Sequence, residues 1–316
     1  MRYIYVKRLG SFTKKQNSAI EVLKEFIFEY FRTEVRELGS RKLEKLPNTN
    51  QINAKSMIEF IAFDAPKDAL IVLAITNEDL KTEDTNWVYG VGCKGLAVVS
   101  LARMVNMWLF KKLTAHELGH AYGLPHCDNR QCLMHYENSE EEALKSSIEL
   151  CKKCKEMLAI TKLINFVVKA KRNTYASENT IKNKMPDGSI LLVYAENDLV
   201  YIDRYKMSDN NTRFTGEEQI IREGNVIWRM KYEGSILEDA TMKKIDTKEI
   251  YRFLRKALRN VSPEKPYRGT NINEGKFTYI NNVDGTFNCF EGHEVIKYDN
   301  VRVYTLVYSG GIQKNK

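Results

Sequence analysis

His116-Glu117-Leu118-Gly119-His120-Ala121-Tyr122-Gly123-Leu124-Pro125-His126-Cys127 is the stretch on which the reading of this 316-residue chain turns. Its pattern is H-E-x-x-H-x-x-G-x-x-H. Positions i and i+4 of a helix share one face, so His116 and His120 can offer imidazoles to a single metal ion. Glu117 projects beside that ion, where a general base for a zinc-held water must sit. Gly123 can adopt a left-handed conformation and end the helix, and Pro125 forbids its continuation. The turned chain then returns His126 as a third ligand. Three protein ligands leave one tetrahedral position open, which marks a catalytic rather than a structural zinc. The chain has 5 histidines, and three of them fall within these eleven residues, which argues against chance.

A second metal site begins where the first ends. Cys127 and Cys132 form a C-x4-C pair, and Cys151 and Cys154 a C-x2-C pair. Four thiolates would close a tetrahedral site with no room for water, so this zinc would be structural. Disulfides are the alternative, disfavoured because nothing marks the chain as secreted. Redox catalysis by Cys151 and Cys154 lacks the strand–helix setting it needs. His126 and Cys127 are adjacent, so one peptide bond would tie the two metals together.

The run His116 to Cys132, then Met134, then Cys151 and Cys154, resembles the archaemetzincins, a family of the metzincin clan of zinc proteases. The resemblance implies His116, His120 and His126 as catalytic zinc ligands and Glu117 as the base. It implies Cys127, Cys132, Cys151 and Cys154 as structural zinc ligands, and Met134 as the clan's Met-turn beneath the metal. Residues near Ile71–Thr76, Asn86–Gly92 and Ala97–Arg103 also resemble the family's sheet. The link Met104–Ala115 is shorter than in that family and very apolar, and is expected to run into the metal helix. In metzincins the edge strand before the metal helix pairs with substrate backbone. Trp87–Gly92 is expected in that role, its two glycines suiting close approach by another chain, unless it is an ordinary hairpin.

Composition sets bounds. Apolar residues make up 43% and charged residues 28%, ordinary for a globular protein. The net charge is +8; residues 1–160 carry 23 basic and 21 acidic side chains, the remainder 26 and 20. These charges are interspersed, with no Lys/Arg block, so no nucleic-acid face is expected. No apolar run reaches membrane-spanning length, and the first residues do not read as a signal peptide. A cytoplasmic protein is the expectation. Cys93 and Cys289 are left over as plain thiols.

Along the chain, Tyr3–Arg8 alternates as a strand, and Ser18–Tyr30 and Lys55–Ala62 have helical spacing. Phe31–Leu38 is expected to be a strand, and residues 40–53 and 77–86 polar loops. Ala69–Thr76 is continuously apolar, as in a central strand buried on both faces. Trp87–Gly92 and Leu96–Leu101 are short strands. Lys152–Ala170 is helix-compatible throughout, so a domain boundary near 160 falls inside a helix. The expected fold is an α/β metzincin-like catalytic domain over 1–160, a mixed sheet with an active-site helix. An α+β domain of unknown function, built from an internal duplication, follows over 161–316.

The duplication shows as an ungapped repeat. Phe214-x-Gly216-x-Glu218-x-Ile220 recurs as Phe290-x-Gly292-x-Glu294-x-Ile296, and Trp228-x-Met230-x-Tyr232-x-Gly234-x-Ile236 as Tyr304-x-Leu306-x-Tyr308-x-Gly310-x-Ile312. Period two means strands with one buried face. Each set follows an amphipathic helix, Leu163–Thr174 or Thr247–Arg259. His293 stands alone, and Pro266–Gly269 reads as a turn rather than a cleft cap. This domain resembles an uncharacterised appended domain and is expected to gate substrate, bind a partner or dimerise.

The expected function is a cytoplasmic zinc metallopeptidase with two zinc ions per chain and a peptide or protein substrate. The resemblance also implies aminopeptidase activity. A catalytically silent zinc-dependent peptide-binding module is the alternative. A nucleic-acid-binding zinc protein is a third reading, supported only by the basic second half.

Overall fold

Alternation along one strand shows how the first part of the chain is layered. In the computed structural model, β4 (Ala69–Thr76) sends Ile71, Leu73 and Ile75 to one face of a sheet and Val72 and Ala74 to the other, all buried. A strand covered on both faces reads as continuously apolar for this reason. The structure describes residues 3–41, 51–137, 139–175 and 181–313. Of the loop expected over 40–53, residues 42–50 lie outside these. The chain forms two compact units, Met1–Thr161 and Lys162–Lys316.

The first unit runs β1 (Tyr3–Leu9), α1 (Lys14–Phe31), β2 (Val35–Arg41), β3 (Gln51–Asn53), α2 (Ala54–Phe63), β4, β5 (Asp79–Lys81), β6 (Gly90–Cys93), β7 (Leu96–Ser100), α3 (Met107–Ala121) and α4 (Glu140–Lys145). Its sheet has the order β2-β1-β4-β7-β6. β1, β2, β4 and β7 are parallel; β6 is antiparallel to β7 and forms the edge. Helices α1 and α3 cover the face holding Ile71, and α2 covers the other. A capping box between Thr13 and Gln16 starts α1, and Arg32, in the left-handed region at φ 48°, ends it. That cap delays β2 to Val35, later than the spacing suggested. The acidic stretch 77–86 is not all loop, since β5 pairs in parallel with β3.

Helix α5 (Lys152–Asn173) contains the boundary between the units. The second unit continues with β8 (Asn183–Lys184), β9 (Ile190–Glu196), β10 (Leu199–Met207), β11 (Arg213–Arg222), β12 (Asn225–Ile236), α6 (Glu238–Met242), α7 (Thr247–Leu258), β13 (Ile272–Glu274), β14 (Phe277–Thr286), β15 (Cys289–Tyr298) and β16 (Val301–Ile312). All nine strands form one antiparallel sheet, β13-β14-β15-β16-β12-β11-β10-β9-β8. The two strand sets register alike. Gly216 lies opposite Tyr232 and Gly292 opposite Tyr308; Glu218 lies opposite Asp203 and Glu294 opposite Asn281. The sets meet where β12 pairs with β16, with Tyr232 beside Tyr308. The repeated glycines have a steric cause. A Cβ on Gly216 would sit 2.4 Å from the Tyr232 ring, and one on Gly292 2.3 Å from the Tyr308 ring. Each tyrosine therefore lies flat across the neighbouring strand. Pro266–Gly269 is no surface turn: all four residues are buried, and Arg268 makes a two-pronged bond to Glu294 at 3.0 and 2.8 Å.

Candidate metal centre

Asn106 caps α3 by accepting the Leu109 N–H at 2.9 Å, and the apolar link does run into this helix. The helix ends at Gly123, φ +89°, where the Leu124 N–H bonds back to Gly119 O at 3.0 Å. The chain then reverses and carries His126 to the open side of His120. The His116 Nδ1–H donates to Leu133 O at 2.7 Å, and the His120 Nδ1–H to Leu124 O at 2.8 Å. Carbonyls only accept, so both rings keep a bare lone pair on Nε2. Those Nε2 atoms lie 3.1 Å apart, and His126 Nε2 lies 3.1 Å from that of His120. Converging lone pairs repel unless a cation sits among them. Tetrahedral zinc with bonds of about 2.05 Å places its nitrogens about 3.3 Å apart, so the site fits zinc. Burial pushes His116 down to about 4 and lowers His120 and His126, keeping all three neutral as ligands must be.

Glu117 turns toward β6. The Gly92 N–H donates to its carboxylate, while burial pushes its pKa up to about 8. A divalent cation beside it would pull it back down. The sequence suggested that Gly90 and Gly92 admit another chain; they admit α3. A Cβ on Gly92 would lie 2.2 Å from Glu117 O, and one on Gly90 2.9 Å from Glu117 Cγ. The outer side of β6 carries no strand partner among the described residues.

Met134 lies beneath the histidines. A Cβ on Gly119 would meet its sulfur at 2.3 Å, so this glycine lets the turn seat against the helix. The Cys127 N–H bonds to Met134 O at 2.8 Å and the His135 Nδ1–H to Cys127 O at 2.9 Å, tying this turn to the loop bearing His126. Tyr136 packs edge-on against the His126 ring at 5.2 Å. Lys112, buried one turn before His116, gave no signal in the sequence. Its ammonium bonds to Glu137, to Ser146 and to Ala143 O, and so holds the 137–146 segment to α3.

The sulfurs of Cys127, Cys132, Cys151 and Cys154 lie within 4.8 Å of one another. Cys127 and Cys151 are 3.8 Å apart, the spacing of about 3.8 Å that tetrahedral zinc imposes on two thiolates at about 2.3 Å. The Cys154 N–H helps draw Cys151 down to about 7, while burial raises Cys132 and Cys154. Cys93 and Cys289 are exposed and far from either group in sequence.

Residues 62–160 match the model of peptidase family M54. The archaemetzincin of Nanoarchaeum equitans is 32% identical over 140 residues, 44% of this chain and 79% of that protein. The chain belongs to the archaemetzincin family. It is accordingly a zinc metallopeptidase, a hydrolase. The archaemetzincin of Methanopyrus kandleri is 42% identical over 96 residues, 28% of this chain and 54% of that protein. The crystal structure of that organism's archaemetzincin covers 51% of this chain and 96% of its own, at 25% identity and a TM-score of 0.45. Residues 207–313 match a domain of unknown function, DUF5680, so this archaemetzincin carries a separate second domain. No described helix is long and apolar enough to cross a membrane.

Proposed function

We propose that His116, His120 and His126 hold the catalytic zinc, that Glu117 is the general base, and that Cys127, Cys132, Cys151 and Cys154 hold a second, structural zinc. The convergence of three Nε2 atoms, two of them left bare by Nδ1–H bonds to carbonyls, carries the reading. Zinc, when bound, supplies Lewis-acid polarisation of the scissile carbonyl and acidifies water. The Glu117 carboxylate takes the proton of the attacking water and returns it to the leaving amine. The Gly92 N–H keeps that carboxylate beside the histidines. Substrate backbone adds to the free side of β6, which gives affinity without reading side chains. Amino-terminal trimming rests on the family resemblance; cleavage of free but not amino-blocked peptides would support it. The second domain, residues 161–316, is the product of an internal duplication, supported by the matched registers of Gly216–Tyr232 and Gly292–Tyr308.

Glu117→Gln tests the mechanism. The variant should keep its zinc and lose peptidase activity by roughly 100- to 10,000-fold. Unchanged turnover with zinc retained would reject the assignment of the base. A zinc-loaded native protein that cleaves no member of a peptide library would point to the silent binding module.

A further inference from the structure

The second unit has a cavity of about 1130 Å³, open to solvent on one side, that the peptidase reading leaves unused. Strands β10–β12 form one wall and helix α7 another. Pockets for small molecules run to roughly 1,000 Å³ and pair apolar walls with a few placed polar groups, and this one has both. Tyr205, Phe214, Tyr251 and Phe277 supply aromatic surface. Asp203, Tyr175 and Arg268 reach it from the interior.

The interior charges show what the cavity lacks. Lys171 pairs with Glu218 at 2.6 Å, and Arg268 with Glu294 through two bonds. Each cation is thereby committed to a glutamate of its own. Asp203, 2% exposed, has no cation in hydrogen-bonding contact among the described residues and accepts from the Tyr232 hydroxyl alone among them, at 2.6 Å. The fold does not require an acid there. The register equivalent in the other strand set is Asn281, whose side-chain oxygen accepts the Tyr308 hydroxyl at 2.9 Å in the same way. An amide would serve the tyrosine equally well, so the second carboxyl oxygen, unpartnered among the described residues, faces the cavity for another reason. The Tyr175 hydroxyl is buried at the same cavity and has no partner among the described residues. A buried hydroxyl left unpaired costs about 1–3 kcal/mol. Lys182, Arg252 and Arg255, all exposed, also line the cavity with no ion-pair partner among the described residues, against two acids there without one, Glu249 and Asp203.

We infer that this cavity binds a small zwitterion with an apolar or aromatic body, of the amino-acid or short-peptide class. Its ammonium sits on Asp203, and its carboxylate faces Lys182, Arg252 and Arg255. The surrounding ring faces add attraction for the ammonium. The Tyr175 hydroxyl supplies the remaining hydrogen bond.

Calorimetric titration of the zinc-loaded full chain tests this with three probes: L-phenylalanine, phenethylamine, which lacks the carboxylate, and 3-phenylpropionate, which lacks the amine. L-Phenylalanine should bind most tightly. Asp203→Asn, which copies the Asn281 pairing and so preserves the fold, should weaken L-phenylalanine and phenethylamine roughly 10- to 100-fold and leave 3-phenylpropionate alone. Arg252→Gln with Arg255→Gln should weaken L-phenylalanine and 3-phenylpropionate only. Hydrogen-exchange protection by L-phenylalanine should fall on β10 and α7. Equal binding by Asp203→Asn, protection confined to residues 116–126, or no heat from any probe at millimolar concentration would overturn the inference. None of these outcomes depends on peptidase turnover.

Discussion

Gly119 shows how closely one missing side chain controls the metal centre. It stands between His116 and His120, and its bare Cα leaves space for the buried Met134 sulfur. The same turn presents Leu133 O to His116. Gly119→Ala should push the turn away and loosen that bond. Outer hydrogen bonds to metal ligands are worth about 10- to 100-fold in affinity. Chelator competition should therefore show zinc held at least about tenfold more weakly, and unchanged affinity would refute the link. At this scale the sequence was legible wherever chemistry follows local spacing. The histidines and cysteines converge as their intervals implied. Gly92 was misread because its reason lies in Glu117, on another element, and a string of letters does not show which backbone passes within 2.2 Å.

Among elements, α3 depends on a clamp outside itself. Lys112 has 1% of its side chain exposed and Glu137 9%, and the ammonium also bonds to Ser146 and Ala143 O. Lys112→Met would strand the Glu137 carboxylate, and breaking one side of a buried pair costs about 3–5 kcal/mol. Urea denaturation should show a loss of that order, with Lys112→Met/Glu137→Gln losing less. A single variant as stable as the native protein would show the clamp to be inert. Lys112 could not be found by reading, because its partners follow no period and lie in and around the short helix α4. The helices and most strands could be, since α1, α2, α5, α7, β4 and the meander bury regular faces. β5 escaped notice because a strand of three residues, Asp79-Leu80-Lys81, is too short to show an alternation.

At the scale of the whole molecule, metal content and pH dependence are the tests. Metal analysis should find two zinc ions per chain, one removed readily by chelators and one resistant. The cysteine site has no open position for a chelator to enter, whereas the histidine site does. The second unit should respond to acid through Asp203. Burial raises its carboxyl to about 7 from an ordinary 3.8; the charge of Glu218 adds to this, while the Tyr232 hydroxyl, Lys171 and Arg268 oppose it. An acid that titrates higher when folded stabilises the fold fully below pH 3.8. That contribution is lost as pH rises to about 7, because the unfolded chain sheds a proton the native one keeps. Amide exchange in β10–β12 should quicken between pH 5 and 7 in the native chain and stay flatter in Asp203→Asn. The alternation of these strands showed which residues face inward, yet an inward acid such as Asp203 contradicts that pattern until its surroundings are seen.

The single peptide bond from His126 to Cys127 also bears on how the molecule is put together. A ligand donated from a wandering loop must surrender chain entropy each time it binds. Once four sulfurs between residues 127 and 154 have closed on one ion, His126 has little freedom left to lose. In a newly made chain two zinc fillings would then be expected in an order, the thiolates first and the third imidazole arriving already in place.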